Sequence, residues 1–385
     1  MIYLDHNAST PVRPEAIAAV EAALRDLSAN PSSAHREGQR GRAAIEQARA
    51  RVAGLVHARA DEVVFLSGGT EGDHAGLIGA AWALEKHGRR VAVSAVEHHA
   101  VHGAAEVLER MGFTIDHLSV DREGRVDPAA VDRLPEGVTV LSVMLANNET
   151  GVLQPVAEVA ARARARGIRV HCDAVQAAGK IVVDVEALGV DYLVISAHKL
   201  GGPKGTGALI VRRGAPCEPL FRGSAHERGR RGGTENLPGI VGFGVAAEQA
   251  RLDLEAEQAR LTGLRLRLER GIRDAVPDVV VVGGSAERLP NTVNACFPGA
   301  RSDHMLMALD AGGVAVSAGA ACASGGVEPS PVLKAMGVPR EIAVCALRFS
   351  LGRTTTAEEI DEAVRRIGEC VASVRAMEVR SGGGR

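Results

Sequence analysis

Only five of the 45 basic residues in this chain are lysines, so few side chains could serve as an amine nucleophile. Lys199 follows the apolar run 192–195 and enters a Gly-rich segment. A lysine at a strand end can form a Schiff base with a carbonyl cofactor. Ser196 and His198 flank it at alternate positions, so in an extended chain both would face one side and could donate to a phosphate. A surface lysine at a strand end is the structural alternative, and the local pattern leaves both interpretations open.

A glycine-rich turn, SGGTEG at 67–72, follows the apolar run 62–66 and opens a helical pattern. The N–H groups at a helix start favour an anion, and glycines let a phosphate approach the backbone closely. The pattern predicts a phosphate cradle that includes Gly69 and Thr70. The structural alternative is a tight strand-to-helix turn in which Thr70 is the N-cap.

Two further polar residues follow apolar runs, at the strand ends where ligands gather in α/β proteins. Asp173 can keep a pyridine nitrogen protonated, because an opposite charge nearby favours the charged form. A helix N-cap is its structural alternative. His98 is expected to stack on a ring or to shuttle a proton, since histidine titrates near neutral pH. Its spacing from His102 would also permit a metal site, but no clear third ligand supports one, and no metal is expected.

A cysteine and an arginine complete the candidate set. Cys322 lies in the small-residue, Gly-rich segment 317–326 rather than on an apolar strand face. Thiolate is a strong nucleophile, and a Gly-rich loop could swing it into a site. Arg348 interrupts the strand-like run 347–351. Its planar guanidinium suits bidentate binding of a carboxylate, whereas an internal ion pair is the structural alternative.

The elements that must position these residues alternate between apolar runs and helical patterns. Most runs are rich in Val and Ile and apolar on both faces, which is typical of a mostly parallel sheet covered by helices. The runs are 62–66, 91–95, 113–120, 138–145, 168–172, 192–195 and 207–211. The sequence therefore predicts an α/β fold with ligands at the carboxyl ends of the strands.

A long charged helical pattern, at about 242–275, separates this region from a second one. Short strand candidates then mix with helices, which indicates a smaller α+β domain. We place the boundary near residue 253, inside the long helix. The prediction is a large cofactor-binding domain at 15–253, and a small domain formed by 1–14 and 254–385 that carries the cysteine segment.

Composition excludes several classes of protein. The formal net charge is −2 and 46% of residues are hydrophobic, so nothing draws the whole chain to nucleic acid or an acidic membrane. The basic segment 222–236 lacks interleaved aromatic residues and is better suited to a small phosphate. No apolar run approaches the ~18 residues of a membrane helix. The start does not resemble an export signal, and the six cysteines form no Cys-x-x-Cys motif, so we expect a cytoplasmic protein with reduced thiols.

Taken together, these candidates predict one cofactor, pyridoxal phosphate, acting on an amino acid. They supply a phosphate cradle, a strand-end lysine, an aspartate for the pyridine, a stacking histidine and an arginine for a carboxylate.

The chain also resembles a known family, the class V aminotransferase-like cysteine desulfurases that supply sulfur for iron–sulfur clusters. The similarity runs nearly from end to end in an ordered series of motifs. They are YLDHNA (3–8), NPSSAH (30–35), SGGTE (67–71), EHHAV (97–101), NNETG (147–151), DAVQ (173–176), SAHK (196–199), RGGT (231–234), CASG (322–325), EPS (328–330) and RFSLGR (348–353). The resemblance implies pyridoxal-phosphate fold type I, with a mostly parallel seven-stranded sheet in the large domain.

The resemblance also implies a role for each matching residue. Lys199 would hold the cofactor covalently and move the Cα proton, with His98 stacking on the ring and assisting. The phosphate would be held by Gly69, Thr70, Ser196 and His198, and by Thr234 reaching from the partner subunit of a homodimer. Asp173 would pair with the pyridine nitrogen and Gln176 would contact the ring hydroxyl. Asn148 and Arg348 would hold the substrate carboxylate, and Cys322 would accept the sulfur.

The implied reaction converts L-cysteine to L-alanine and leaves a persulfide on Cys322, for transfer to an iron–sulfur scaffold or a thiolation enzyme. Some positions depart from the family pattern: residues 224–226 replace a Gly-Gly-Gln run, His74 replaces a common asparagine, and alanines 318, 320 and 323 replace frequent serines. These departures bear on rate, substrate preference and acceptor. Selenocysteine lyase, another reaction on the same cofactor, and a non-catalytic sulfur-relay scaffold are the alternatives.

Overall fold

The structure is a computed structural model that describes residues 1–318, 322–323 and 326–382. The strands are β1 (Ile2–Tyr3), β2 (Val63–Leu66), β3 (Arg90–Ser94), β4 (Thr114–Leu118), β5 (Val138–Ser142), β6 (Arg169–Asp173), β7 (Tyr192–Ser196), β8 (Gly207–Val211), β9 (Val280–Val281), β10 (Thr292–Cys296), β11 (Val314–Ala315), β12 (Cys322–Ala323), β13 (Gly326–Val327) and β14 (Ala346–Ser350). The α-helices are α1 (Pro14–Asp26), α2 (Arg36–Leu55), α3 (Gly69–Ala83), α4 (His99–Arg110), α5 (Val156–Ala165), α6 (Val185–Leu188), α7 (Leu237–Ala275), α8 (Ser302–Ala311), α9 (Pro331–Ala335), α10 (Arg340–Ala343) and α11 (Ala357–Gly382).

Seven strands form the large sheet, in the order β2-β8-β7-β6-β5-β3-β4. The pairs from β7 to β4 are parallel, whereas β8 runs antiparallel to both of its neighbours. The inner strands β5, β7 and β8 are buried along their whole length, which explains why their sequences are apolar on both faces. The predicted α/β architecture with a mostly parallel seven-stranded sheet is confirmed.

The remaining strands belong to smaller sheets near the C-terminus. Strands β14, β10 and β9 form an antiparallel sheet, and β1 pairs in parallel with β11. A hydrophobic cluster of its own joins this sheet to α8, α11 and the second half of α7. The first residues of the chain thus pack with the C-terminal region rather than with the large sheet.

Helix α7 links the two regions. Its first part packs against α1 and α2, and its later part packs against α11. It begins at Leu237, five residues before the predicted start, because Asn236 caps it and a proline occupies its first turn. Asn236 Oδ1 accepts the backbone N–H of Gly239 at 3.2 Å. Both residues are start signals that the apolar periodicity alone did not reveal.

The segment around Cys322 differs from the predicted loop. The described backbone of Cys322–Ala323 pairs antiparallel with Gly326–Val327. Small residues have no apolar alternation, so the sequence could not indicate this pairing. The side chain of Cys322 and residues 319–321 and 324–325, which belong to the predicted cysteine segment, lie outside the described part of the protein. Within the described residues, no helix is long and apolar enough to cross a membrane.

Candidate active site

A cavity of about 250 Å³ opens where β6 and β7 end and where α3 and α4 begin. This is the edge of a parallel sheet at which α/β proteins bind ligands. Nine of the residues predicted from the sequence line it: Gly69, Thr70, His98, Asn148, Asp173, Gln176, Ser196, His198 and Lys199. Asp73, Met144 and Val175 line it as well, and no sequence argument had singled them out.

One end of the cavity has features suited to an anion. Helix α3 begins at Gly69 with Gly68 as its N-cap, so the alternative in which Thr70 caps the helix is wrong. Thr70 instead lies in the first helical turn, where backbone N–H groups have no partner within the helix. A Cβ added to Gly69 would lie 3.1 Å from Val175 Cγ2, so a side chain there would crowd the cavity wall. The hydroxyl of Ser196 is buried, and none of the described residues forms a hydrogen bond with it.

His198 reaches the cavity by a different geometry from the predicted one. It lies in a short 3₁₀ helix, Ala197–Lys199, and not in an extended chain. Its Nδ1 lies 3.3 Å from Ser9 Oγ. Burial lowers its pKa to about 4, and the charge of Lys199 acts in the same direction. Ser196 and His198 therefore share the cavity because the chain turns after β7, and not because they alternate along a strand.

Lys199 lies on the floor of the cavity with its amine held by backbone carbonyls. Its Nζ donates to the carbonyl oxygen of Ala8 at 2.8 Å and also to that of Asn7. Burial, together with the charge of Arg348, lowers the pKa of this amine to about 8, while Asp173 acts in the opposite direction. A lysine with a pKa near neutral has an appreciable unprotonated fraction, which is the form that attacks a carbonyl.

Asp173 is the last residue of β6, and its carboxyl group faces the same cavity. Its Oδ1 accepts the backbone N–H of Val175 at 2.8 Å in a turn, so the helix N-cap alternative is wrong. Burial raises the pKa of Asp173 to about 6, although the Val175 hydrogen bond and the Lys199 charge favour the ionised form. A cation placed against this carboxylate would be held strongly, because the carboxylate is buried.

His98 is neutral in the structure. It caps α4, and its Nδ1 accepts the backbone N–H of Ala100 at 3.2 Å, which places the ring proton on Nε2. Burial lowers its pKa to about 4, and the charges of Lys199 and His99 add to this effect. The expectation that His98 titrates near neutral pH is wrong for the protein alone, because a buried imidazole beside a lysine avoids protonation.

A buried polar network below Lys199 was missed by the sequence analysis. Gln176 Nε2 donates to the Asn7 carbonyl at 3.0 Å, and Gln176 Oε1 accepts from Lys180 Nζ at 2.9 Å. Lys180 Nζ also donates to Asn7 Oδ1 at 3.1 Å. Burial lowers the pKa of Lys180 well below its usual value, with Lys199 and Arg348 adding to the shift. Two features of the sequence could have indicated this network: lysine is rare in the chain, and Asn7 lies in the motif YLDHNA (3–8).

Arg348 is anchored at the boundary between the two regions. Its Nη1 donates to the backbone oxygen of Asn148 at 3.1 Å, and its Nη2 pairs with Asp5 at 2.6 Å. The internal ion pair considered as an alternative is therefore present. Its Nε is buried and has no hydrogen-bond partner among the described residues, so this donor remains for a ligand.

The cysteine segment starts next to this arginine. The backbone of Ser317 exchanges two hydrogen bonds with Arg348, at 3.2 and 2.7 Å. At most about 3.6 Å per residue, the five residues from Ser317 to Cys322 can span roughly 18 Å. The other end of the segment is fixed at Ser330, which is buried and caps α9. The segment that contains Cys322 is thus fixed at Arg348 at one end and at α9 at the other.

Thr234 is not brought to this cavity. It lines a separate one of about 140 Å³ together with Ser67 and Arg231. Arg231 Nε lies 2.9 Å from Glu71 on α3, so the basic segment is attached to the helix that borders the first cavity. A single chain therefore leaves Thr234 outside the site that contains Lys199.

Comparisons with known proteins agree with this architecture. The family model for aminotransferase class-V matches residues 2–363. A protein named cysteine desulfurase IscS from Dictyoglomus turgidum is 44% identical over 361 residues, which cover 94% of this chain and 92% of that protein. One of the same name from Anaeromyxobacter dehalogenans is 46% identical and covers 98% and 94%.

Solved structures with a similar fold also match nearly the whole chain. A structure described as a NifS-like protein superposes with a TM-score of 0.90 at 35% identity, covering 97% of this chain and 99% of that one. A structure described as SspA in complex with cysteine has a TM-score of 0.80 at 30% identity, covering 91% and 99%.

Proposed function

The chain belongs to the aminotransferase class-V family, and we propose that it is a cysteine desulfurase. Relatives of that name match it over nearly their whole length, and one similar solved structure, that of SspA, is a complex with cysteine. The observation that carries the proposal is one cavity that holds a low-pKa lysine, a buried aspartate and an unpartnered serine hydroxyl. L-cysteine would be the substrate and L-alanine the product.

The residues of the cavity fit pyridoxal 5′-phosphate. The unpartnered hydroxyl of Ser196, the first turn of α3 and the ring of His198 would hold the phosphate. Asp173 would hold the pyridine nitrogen, Gln176 the ring hydroxyl, and His98 would stack on the ring. When bound, this cofactor supplies an electron sink that stores the charge released when a Cα–H bond breaks.

Lys199 is suited to move the proton at the substrate Cα. Its amine has a pKa of about 8, so near neutral pH it can both accept and return a proton. Asp173 favours the protonated amine and Arg348 the neutral amine, which keeps the two forms close in energy. The neutral His98 can assist only as an Nε2–H donor at the start of the reaction.

The substrate carboxylate would bind Arg348 and Asn148. The guanidinium is already fixed by Asp5 and by the Asn148 backbone, so binding does not require it to be ordered again. The Nε–H of Arg348 and the side chain of Asn148 would donate to the carboxylate.

Cys322 would take the sulfur. Its thiolate attacks the substrate sulfur, the S–S bond forms as the C–S bond breaks, and the carbon side takes up protons to become L-alanine. Cys322 keeps the persulfide, so the sum is cysteine and a thiol giving alanine and a persulfide. The attachment of Ser317 to Arg348 supports this role, because it begins the segment beside the substrate carboxylate.

The separate position of Thr234 supports a homodimer in which this residue reaches the phosphate in the partner's cavity. The hydrophobic cluster shared by β1 and the C-terminal elements supports the division into a large domain at 15–253 and a small domain at 1–14 and 254–385. We further propose a cytoplasmic protein that passes the sulfur to an iron–sulfur scaffold or a thiolation enzyme.

The test is the turnover of L-cysteine by the protein loaded with pyridoxal phosphate and supplied with a thiol reductant. Alanine and sulfide should form in equal amounts, and Lys199→Ala should abolish both. Alanine formation only from L-selenocysteine would favour the selenocysteine lyase alternative. A protein that binds no cofactor would favour a non-catalytic relay scaffold.

A further inference from the structure

A second buried carboxyl group borders the proposed cofactor site and has no role in the proposed reaction. Asp73 lies on α3, lines the cavity and is only 1% exposed. Its Oδ1 is buried and finds no hydrogen-bond partner in the described part of the chain. One side-chain atom from each of Asp73, Asp173 and His98 lies within 4.8 Å of the others. Two carboxyl groups so close together in a buried place cannot both be ionised cheaply.

No cation faces Asp73 among the described residues nearest to it. From β6 comes His171, whose Nε2 lies 3.7 Å from Asp73 Oδ1. Burial lowers the pKa of His171 to about 3, so that ring is neutral, and its Nδ1 lies 2.9 Å from Ser142 Oγ. His98, at the start of α4, is neutral as well. Asp73 therefore has no positive partner that would stabilise its ionised form.

The other groups that face Asp73 are acidic. Glu97 follows β3 and is buried, and its Oε1 accepts from Ser94 Oγ at 2.6 Å and from the Met144 backbone N–H at 2.7 Å. Asp173 accepts the Val175 N–H and feels the charge of Lys199, which favours its ionised form. Among the described residues, Asp73 has neither such a hydrogen bond nor such a neighbouring positive charge. Burial, followed by the charge of Asp173, raises its pKa well above the usual value.

These contacts separate the two aspartates into different roles. We propose that Asp73 is a positioning residue that stays protonated at neutral pH, so that the Asp73–Asp173 pair carries one negative charge, located on Asp173. The proposal rests on the proposed function, because the single charge matters where Asp173 meets the ring nitrogen of the cofactor. The neutral acid offers its O–H toward Asp173 and keeps that carboxylate ionised and oriented. A second charge would oppose the binding of the substrate carboxylate in the same cavity.

The protonation state can be read by infrared spectroscopy of the cofactor-loaded protein at pH 7, through the carbonyl stretch of buried carboxylic acids. Burial also raises the pKa of Glu97 to about 8, so Glu97 should contribute its own acid band. We expect Asp73→Asn to remove one acid band and Glu97→Gln, as the matched control, to remove a different one. A spectrum in which Asp73→Asn removes no acid band would show that Asp73 is ionised and would overturn the proposal.

Cofactor affinity tests the positioning role separately. Asparagine is neutral, has the same shape and still donates a hydrogen bond, so Asp73→Asn should bind pyridoxal phosphate within about threefold of the parent protein. Asp73→Leu, which offers no donor, should bind it at least about tenfold more weakly. A tenfold loss in Asp73→Asn would mean that the charge of Asp73 is needed, and unchanged binding in Asp73→Leu would mean that Asp73 positions nothing. Either result would overturn the proposal.

Measurements on the parent protein distinguish a failure of this proposal from a failure of the proposed function. If the parent chain takes up pyridoxal phosphate and desulfurates L-cysteine but the infrared or affinity results for the Asp73 variants contradict the proposal, only the role of Asp73 fails. If the parent chain takes up no cofactor, both fail. The infrared measurement on the parent protein also needs no folded variant to show whether buried acids are present at neutral pH.

Discussion

Arg348 Nη2 lies 2.6 Å from Asp5 Oδ1, and this ion pair joins strand β14 to the N-terminal segment at the edge of the cavity. The same guanidinium donates to the backbone oxygen of Asn148, which comes from the large sheet region. The Arg348 side chain therefore connects β14 with two other parts of the chain. Contacts within the chain hold Arg348 in place, and its Nε–H has no hydrogen-bond partner among the described residues.

The first prediction concerns this arginine. Arg348→Lys should lower kcat/KM for L-cysteine at least about tenfold, mainly through KM, because an ammonium cannot keep both contacts and still meet a carboxylate. Asp5→Asn is the matched variant, since an amide oxygen still accepts from Arg348, and it should cost only about threefold. Steady-state kinetics at saturating cofactor measure both. An unchanged KM in Arg348→Lys would remove Arg348 from substrate binding.

The second prediction concerns the pH dependence of cofactor attachment. The folded-state pKa of Lys199 is about 8, lowered from 10.5 chiefly by burial, so the reactive neutral amine becomes the major form as pH rises through 8. The rate at which the cofactor-free protein develops the absorption band of covalently bound pyridoxal phosphate should rise from pH 6 to 9 and then level off. A rate that keeps rising to pH 10 would indicate an ordinary lysine. Lys199→Ala, as the control, should show no such band at any pH.

The third prediction concerns Asn7, which no sequence argument had placed in the site. Its side chain accepts from Lys180 at 3.1 Å and donates to Thr292 at 2.9 Å and to the Asn148 backbone at 3.2 Å. Asn7→Ala should lower the free energy of unfolding by about 2–4 kcal/mol, because several buried polar groups lose their partners together.

Asn7→Ala should also weaken cofactor binding, since Lys180 loses its Asn7 Oδ1 acceptor and Lys180 in turn holds Gln176 through Oε1. Asp184→Ala is a suitable control because Asp184 caps α6 with two hydrogen bonds of 2.9 and 3.0 Å and does not line the cavity. It should cost about 1 kcal/mol of stability and leave cofactor affinity unchanged. Equal losses of affinity in both variants would show that Asn7 acts on the site through general stability alone.

The fourth prediction concerns the proposed dimer. If Thr234 completes the partner's site, Thr234→Ala should weaken cofactor binding, although it lies outside the cavity of its own chain. Mixing Thr234→Ala chains with Lys199→Ala chains should then rebuild one intact site per mixed dimer. Activity above that of either variant alone, measured after subunit exchange, is the expected result. No recovery in mixed dimers of verified composition would place Thr234 outside the shared site.

Much of the site could be predicted because strand ends carry strong local signals. Asp173 and Lys199 each follow a buried run, and parallel strands bring such ends to one edge of the sheet. The phosphate cradle at the start of α3 was also predictable, because a glycine-rich turn before a helix is typical of anion binding. These predictions needed only the order of the elements.

The rest depended on contacts that join distant positions. Asn7 forms hydrogen bonds with Lys180, 173 residues away in sequence, and with Thr292, 285 residues away, and no local pattern indicates either contact. The neutral state of His98 follows from its burial beside Lys199, which the sequence does not show. Gly68, and not Thr70 as in the structural alternative, caps α3, because glycine can also serve as an N-cap.

Whether Cys322 accepts the sulfur is decided by a single turnover with L-cysteine labelled on sulfur. The cofactor-loaded protein, without reductant, should release one alanine per site and retain one labelled sulfur on Cys322, identified by peptide mapping. Cys322→Ala should retain no label and release alanine far more slowly, while keeping its bound cofactor. Full alanine release by Cys322→Ala, or label on another cysteine of the parent chain, would contradict the assignment of Cys322 as the sulfur acceptor.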